Sequence, residues 1–147
     1  MRLAPAPVLL LAGLVAMACG GGRSSTTMPR PESPTAAVEG FLAAVQANDL
    51  ASMGQRWGTG RGPAAQWMDR EVLHQRLTVI QSMLSHERFA LEPGNAPSTP
   101  DKPVLHVRLF RHGCQPVVPF TLVRYQGGWL VENVALEAAG NPARSCQ

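Results

Sequence analysis

Thiol, imidazole, carboxylate and guanidinium groups are the side chains of this sequence that could carry chemistry, and their spacing limits what each can do. The three cysteines are Cys19, Cys114 and Cys146. A cysteine thiolate can act as a nucleophile, a disulfide partner or a metal ligand. Four histidines and ten acidic residues are scattered along the chain, and no Ser/His/Asp or Cys/His arrangement for nucleophilic catalysis is found among them. The cysteines are therefore the most informative of these residues.

Cys19 follows an apolar segment at the start of the chain. A basic start and an apolar stretch of about 14 residues over 3–16 have the form of an export signal, and this stretch is shorter than the roughly 20 residues that span a bilayer. The sequence AMAC at 16–19 resembles the lipobox of bacterial lipoproteins, with alanine where leucine is usual. The resemblance implies that residues 1–18 are a cleaved signal peptide and that the Cys19 thiol takes the lipid, with fatty chains such as palmitate.

The residues after Cys19 predict a tether. Residues 19–33 are rich in glycine, serine, threonine and proline, which is typical of a flexible linker. A lipid on Cys19 would hold the protein at a membrane of the cell envelope, on the periplasmic or extracellular side, without spanning it. Gly20 is not the aspartate associated with retention at an inner membrane, so the resemblance leaves an outer-membrane destination open. The alternative is plain secretion with Cys19 unmodified. Residues 34–147 then predict a single domain with a C-terminal tail.

Cys114 and Cys146 remain as an even pair in an oxidising compartment, which favours a disulfide. The register of the hairpin described below puts Cys114 opposite a position near Ala139, and the following tail, which contains glycine and proline, is long enough to fold back. The alternative is a metal site at Cys114 with His112 and either His106 or Cys146. No CxxC or HxxxH spacing supports that alternative, and we expect no metal and no cofactor.

The charged residues argue against nucleic acid as a partner. The formal net charge is +3, and the arginines are spread along the chain instead of being clustered to follow a phosphate backbone. The sequence GTGRGP at 58–63 contains three glycines, but it follows a predicted helix and lacks the Gly-Lys-Ser/Thr ending of a nucleotide-binding loop. We interpret it as a surface loop.

Three helices are predicted in the first half of the domain. Ser33 and Pro34 form the start of the first, and Asp49 caps a short second one that ends at Gly58. The third and longest helix covers about residues 69–86, with Asp69 as its cap. Its apolar stripe consists of Leu73, Leu77, Ile80 and Leu84, which we expect Val72, Val79 and Met83 to widen. Arg76 lies within this widened face, where its guanidinium either snorkels at the edge or lines a cavity.

The periodicity then changes to two, which predicts strands. Residues 88–92 predict the first strand, and Leu105, Val107 and Leu109 predict the inward side of a second strand. Residues 117–125 and 129–136 predict a hairpin. The hairpin face that we take as the interior gathers Val118, Phe120, Leu122, Trp129, Val131, Asn133 and Ala135. Glu132 then lies on the opposite face, and a register error of one residue would exchange the two faces.

The order of helices followed by antiparallel strands resembles the nuclear transport factor 2-like superfamily over about residues 35–137. The pattern AAVEGFLAAVQANDLASM at 36–53 and the turn and strand GGWLVENVAL at 127–136 carry the match. The resemblance implies an α+β cone in which three N-terminal helices pack on a curved antiparallel sheet of about four strands and leave a pocket. Members include isomerases, dehydratases, ligand binders and many lipoproteins, and homodimers are common.

The predicted pocket contains few acid or base groups. Enzymes of this superfamily place an Asp, His or Tyr base in the cavity, whereas the face taken as the interior offers Asn133 as its polar residue. We expect Arg76, Asn133, Trp129 and Phe120 to contact a ligand. Three functions follow as hypotheses. The first is a non-catalytic envelope lipoprotein that binds an apolar or amphipathic small molecule or a partner protein. The second is a small isomerase or lyase that uses Glu132, paired with Arg76 or His106, or another histidine, and the third is a purely structural envelope protein.

Overall fold

The computed structural model describes residues 28–144, so the predicted signal peptide, Cys19, most of the tether and Cys146 lie outside the described residues. The described chain is α+β, with helices packed on an open four-stranded antiparallel sheet. Its elements in chain order are α1 (Pro34–Gln46), α2 (Leu50–Arg56), β1 (Gly58–Thr59), β2 (Gly62–Pro63), α3 (Ala64–Trp67), α4 (Arg70–Met83), β3 (Arg88–Glu92), β4 (Val104–Phe110), β5 (Val117–Tyr125), β6 (Gly128–Val134) and α5 (Leu136–Ala139).

The first two helices begin at the caps that the sequence predicts. The Ser33 hydroxyl accepts a hydrogen bond from Ala36 N at 3.1 Å. At the start of α2, the Asp49 carboxylate accepts hydrogen bonds from the hydroxyl and the backbone N–H of Ser52, and these bonds hold the pKa of Asp49 below its ordinary value. Each cap satisfies donors that a helix leaves unpaired in its first turn.

Helix α4 is capped as predicted but buries a narrower face than predicted. The Asp69 carboxylate accepts from the backbone N–H groups of the first turn, and Leu77 and Ile80 are buried. Val72 and Val79, expected to widen the buried stripe, are 42% and 56% exposed. The reason is that α4 packs mainly against α2, α3 and α5, so its other side is left uncovered beside the end of β6.

The sheet has the order β3-β4-β5-β6, with antiparallel neighbours throughout. In β4, Val107 and Leu109 are fully buried, as the alternation predicts. The turn between β5 and β6 has positive φ angles at Gln126 (45°) and Gly127 (77°), which are the angles of a two-residue type I′ hairpin. This turn fixes the register that the sequence predicts as far as Leu122, which is opposite Val131.

Beyond Leu122 the predicted register is wrong by one residue. A bulge between Thr121 and Leu122 places Thr121 opposite Asn133, so Glu132 is the extra residue of β6. Val134, predicted to lie on the outer face, is consequently buried at 8% exposure. Asn133, predicted to share the interior face with Trp129, is exposed instead.

The outer edge of β6 is covered by two segments from the N-terminal half. Pro31 O accepts a hydrogen bond from Trp129 N at 3.1 Å, and Trp57 forms a parallel bridge with Val131. An edge strand covered in this way does not offer its hydrogen-bonding groups to another chain. The last residues of the predicted tether, from Arg30 onward, are therefore docked on the domain.

Four short elements were not predicted. The segment 58–63, expected as a loop, forms the two-residue strands β1 and β2. The four-residue helix α3 follows directly, and α5 begins at Leu136, which we expected at the end of a strand. Elements of two to four residues are too short to show a hydrophobic period.

Arg111 connects the end of β4 to two helices. Its guanidinium donates to Ser85 O at 2.7 Å, to Ala139 O at 2.9 Å and to Met83 O. Met83 is the last residue of α4, Ser85 follows that helix, and Ala139 is the last residue of α5. Carbonyl groups at the end of a helix lack partners within the helix. Burial lowers the pKa of Arg111 from its ordinary value. Cys114, 8% exposed, lies in the same turn and exchanges backbone hydrogen bonds with Arg111.

Candidate functional site

An open cleft of about 450 Å³ lies between α4 and the end of β6. On the helix side, Arg76, Val79 and Ile80 share one face because they are spaced by three and four residues. On the opposite side, β6 ends at Val134 and the chain turns into α5. The residues that line the cleft are Trp57, Gln75, Arg76, Val79, Ile80, Asn133, Val134 and Leu136.

Arg76 is the cationic group of this cleft. Its side chain is exposed, and within residues 28–144 it forms no ion pair, since the pairs there join Lys102 to Glu132 and Arg108 to Glu92. The structure shows both features that the sequence left open for Arg76, since the side chain is exposed at the edge of the helix face and also lines the open cleft. A guanidinium presents five N–H donors in a planar fork that matches a carboxylate or phosphate.

A second, smaller cavity of about 130 Å³ adjoins the cleft. Trp57 and Arg76 line both cavities. The Trp57 indole is held in place because its Nε1 donates to Glu132 O at 3.2 Å, at the bulge of β6. The two cavities therefore share an aromatic wall and a cation.

Glu132 lines the smaller cavity but is occupied by an ion pair. Lys102 Nζ lies 2.8 Å from Glu132 Oε2 and 3.0 Å from Oε1. The structure thus pairs Glu132 with Lys102, and the hypothesis of a pair with Arg76 or His106 is wrong.

None of the histidines between residues 28 and 144 lines either cavity. His74 is exposed on α4, and His112 is exposed in the turn between β4 and β5. His86 lies after α4, where its Nδ1 is 2.7 Å from Leu84 O and its ring meets Phe89 edge to face at 5.7 Å. Burial lowers the pKa of His86 below its ordinary value of 6.5.

Acidification is expected to destabilise the fold through His86. Because the pKa of folded His86 is below the value of 6.5 in the unfolded chain, the unfolded chain takes up the proton first. The contribution of neutral His86 to the free energy of unfolding is complete above pH 6.5. It is lost as the pH falls from 6.5 towards the lower pKa of the folded state. Urea unfolding at about pH 8 and pH 5 should show a smaller loss for His86→Gln than for the unsubstituted protein. His74→Gln, at an exposed residue, is the control and should lose as much stability between the two pH values as the unsubstituted protein. Equal losses in the two variants would contradict the assignment of the pH effect to His86.

The structure brings together two of the four residues predicted to contact a ligand. Arg76 and Asn133 both line the cleft. Phe120 is fully buried and packs edge to face on Phe41 at 6.3 Å, and Trp129 is 5% exposed. The interior that we expected to be hollow at Phe120 and Trp129 is therefore filled core, and neither side chain lines the cleft.

The residues that make the apolar walls were not predicted as site residues: Trp57, Val79, Ile80, Val134 and Leu136. A partial signal was present at Val79, because it lies on an unusually wide apolar stripe, but Val72 lies on the same stripe and is exposed outside the cleft. The position of Val134 had no such signal, since it depends on the bulge in β6.

Two further properties can be stated for the described part of the chain. Between residues 28 and 144, no group of three His, Cys, Asp or Glu side chains is arranged to hold a metal ion. In the same range, no helix combines the length and the apolar character required to cross a bilayer. The predicted disulfide stays a prediction, since Cys146 lies outside the described residues.

Comparisons with known proteins do not assign this chain to a family. No family model matches it, and no curated protein sequence matches it. Among solved structures, a phospholipid-binding protein from Ralstonia solanacearum, determined in complex with a phospholipid, aligns with 68% of this chain and 73% of its own. The identity is 17% and the TM-score is 0.38, which is too low to establish a shared fold.

Proposed function

We infer that this protein is a lipid-anchored lipoprotein of the cell envelope whose α+β domain binds an amphipathic anion without changing it chemically. The observation that carries the binding function is Arg76, an exposed cation without an ion pair to any residue of 28–144, at a cleft with largely apolar walls. The volume of about 450 Å³ is within the range of about 300–1,000 Å³ for small-molecule sites.

The walls of the cleft indicate the chemistry of the ligand. Apolar side chains of Trp57, Val79 and Leu136 would cover an alkyl or ring system, because burial of apolar surface is the main driving force for such contacts. Arg76 would hold a carboxylate or phosphate at one end, and the Asn133 amide can donate a further hydrogen bond. The ion pair of Glu132 with Lys102 favours binding over acid–base catalysis.

The anchor and the disulfide are part of the same proposal and are supported by sequence. The motif AMAC at 16–19 supports lipidation of Cys19 and export, and export supports a bond between Cys114 and Cys146 in an oxidising compartment. A cone of the nuclear transport factor 2-like kind, and a homodimer of it, stay predictions. The open sheet with helices on it is compatible with such a cone.

Binding can be tested with two probes that differ in one group, dodecyl phosphate and dodecanol. The full chain should bind dodecyl phosphate more tightly, since one or two charge-assisted hydrogen bonds to Arg76 are worth roughly tenfold to a hundredfold in affinity. Arg76→Met, which keeps an unbranched apolar side chain, should remove this preference and leave dodecanol binding unchanged. Titration calorimetry measures both affinities.

Two matched controls come from α4 itself. Arg70→Met removes a charge from the same helix at a residue that does not line the cleft, and should bind both probes normally. Val79→Asp should weaken both probes, because it puts a carboxylate into an apolar wall, whereas Val72→Asp, also at an exposed valine, should not. The proposed function is wrong if the unsubstituted protein binds neither probe, or if Arg70→Met acts like Arg76→Met.

A further inference from the structure

Three arginines lie over aromatic rings at one end of the domain. The guanidinium carbon is 4.7 Å from the ring centre for Arg30 over Tyr125, 5.1 Å for Arg61 over Trp67 and 4.4 Å for Arg124 over Trp129. Such stacking holds a guanidinium in place without neutralising its charge. We call these three pairs the basic pole.

The first and third pairs meet at the turn between β5 and β6. Trp129 N donates to Pro31 O at 3.1 Å, which fixes the neighbouring Arg30 beside the turn. A Cβ atom added at Gly128 would lie 2.5 Å from Arg30 Cβ, so the glycine is needed for this close approach. The N-terminal segment of the domain is therefore bound at the hairpin tip.

The second pair is joined to the same turn through Gly62. A Cβ atom added at Gly62 would lie 3.0 Å from the Tyr125 ring, so the hairpin of β1 and β2 packs directly against Tyr125. Trp67 Nε1 donates to Gly62 O at 3.0 Å. This contact places Trp67, and with it Arg61, next to Tyr125, and the basic pole is one continuous surface.

The basic pole carries excess positive charge and an exposed aromatic side chain. Arg61 and Arg124 are exposed, and Trp67 is 37% exposed. The arginines of the pole form no ion pair with any residue of 28–144, and the acidic residue nearest in sequence to Arg30 is Glu32. Arginine attracts anionic lipid headgroups, and tryptophan and tyrosine are enriched where protein meets the membrane–water interface.

The position of the basic pole relative to the proposed lipid anchor indicates that its partner is the membrane surface. The part of the chain outside the described residues ends just before Met28, two residues from Arg30. Cys19 precedes Arg30 by eleven residues, and that many residues span at most about 40 Å when fully extended. A lipid on Cys19 therefore keeps the basic pole within about 40 Å of the bilayer, and the chain from the anchor enters the domain at the pole, where Arg30 stacks on Tyr125.

We propose that the basic pole docks the domain on an anionic membrane surface. The proposal rests on the proposed lipid anchor, which supplies the proximity, while the pole supplies the orientation. In the docked state the smaller cavity, which Trp67 lines together with Trp57 and Arg76, lies beside the headgroups. The adjoining cleft is then positioned to exchange an amphipathic ligand with the membrane.

The test uses the full chain, produced in bacteria that process lipoproteins and reconstituted into vesicles. One set of vesicles contains phosphatidylcholine alone and the other adds phosphatidylglycerol, and both carry brominated lipid that quenches nearby tryptophan. We expect quenching in the phosphatidylglycerol vesicles at low salt and its loss at high salt, because salt screens exposed charges. Trp67→Phe should remove most of this quenching, since Trp67 is the tryptophan at the surface of the pole.

The decisive variant is the double substitution Arg30→Gln with Arg61→Gln. One arginine near an anionic surface contributes about fivefold to the ratio of docked to undocked domain, so two should lower it about 25-fold. The control is Arg88→Gln with Arg144→Gln. It removes the same charge from the other end of the domain, and Arg88 also lies over an aromatic ring, at 3.4 Å from Phe110. The control should dock normally.

The outcomes separate the pole from the anchor. Equal quenching in the two kinds of vesicle, or equal loss in the two double variants, overturns the proposal, as does an absence of quenching in protein that floats with the vesicles. An anchor failure is recognised differently, by an N-terminal peptide without lipid mass and by protein that does not float with phosphatidylcholine vesicles. In that case the protein should still float with phosphatidylglycerol vesicles alone, in a salt-sensitive way, and Arg30→Gln with Arg61→Gln should abolish this flotation. The absence of such flotation would refute the role of the basic pole.

Discussion

Arg111→Met is expected to lower the free energy of unfolding by about 3 kcal/mol. The guanidinium donates to three backbone carbonyls, Met83 O, Ser85 O and Ala139 O. Methionine keeps the apolar stem but removes all three hydrogen bonds, each worth about 1 kcal/mol, and the bonds to Met83 O and Ala139 O are part-buried. Denaturant unfolding measures the loss.

Arg88→Met is the matched control for Arg111. Arg88 is exposed and stacks on Phe110, so its removal should cost less than about 1 kcal/mol. A loss at Arg111 no larger than the loss at Arg88 would mean that water replaces the guanidinium at the three carbonyls. Arg111→Lys is also informative, since a single ammonium cannot reach three separate carbonyls in the geometry of a planar fork.

The features of the fold that could be predicted from sequence are those fixed locally. Ser33, Asp49 and Asp69 each cap a helix as expected, because a cap depends on only a few neighbouring residues. The turn at Gln126–Gly127 likewise defines its own register over the first four residue pairs. These local signals were sufficient for the longer elements α1, α2, α4 and β3 to β6 and for the α+β class, but not for the four short elements.

The candidate site depends on two features that are not local. The bulge at Glu132 moves Val134 into the core and leaves Asn133 exposed. Glu132 and Asn133 are adjacent polar residues between two valines, so alternation alone does not locate the extra residue. The cleft exists because α4 packs on other helices and leaves Val79 uncovered. Only the tertiary arrangement decides whether an apolar stripe meets a strand or an open cavity.

Arg76 shows which part of the candidate site the sequence pattern can predict. A cation on an apolar helical stripe has to find an anion, a carbonyl or water, so the sequence identified an unusual residue but not its surroundings. Phe120 and Trp129 were expected beside it because they are large and face inward. They do face inward, but the residues of α1 fill the space that a ligand would need.

The second large effect is expected from Cys146→Ser and Cys114→Ser. If the two thiols form the proposed disulfide, either substitution opens a loop of about 30 residues and should lower the free energy of unfolding by roughly 3–4 kcal/mol in the chain-entropy estimate. Unfolding of the oxidised protein, with alkylation and mass analysis to count the thiols, measures the effect. Adding a reductant to the unsubstituted protein should produce the same loss.

Cys146→Ser is the more discriminating of the two variants. Cys114 is 8% exposed, so Cys114→Ser also changes core packing, whereas Cys146→Ser tests the bond without changing the buried core of residues 28–144. A silent Cys146→Ser would therefore refute the disulfide even if Cys114→Ser were destabilising. Since Arg111 holds Ala139 O and the disulfide would hold the residues just beyond it, both fasten the same C-terminal segment. The combined variant Arg111→Met with Cys146→Ser should then lose less stability than the two single losses added together, because a segment already released by one substitution has less to lose from the other.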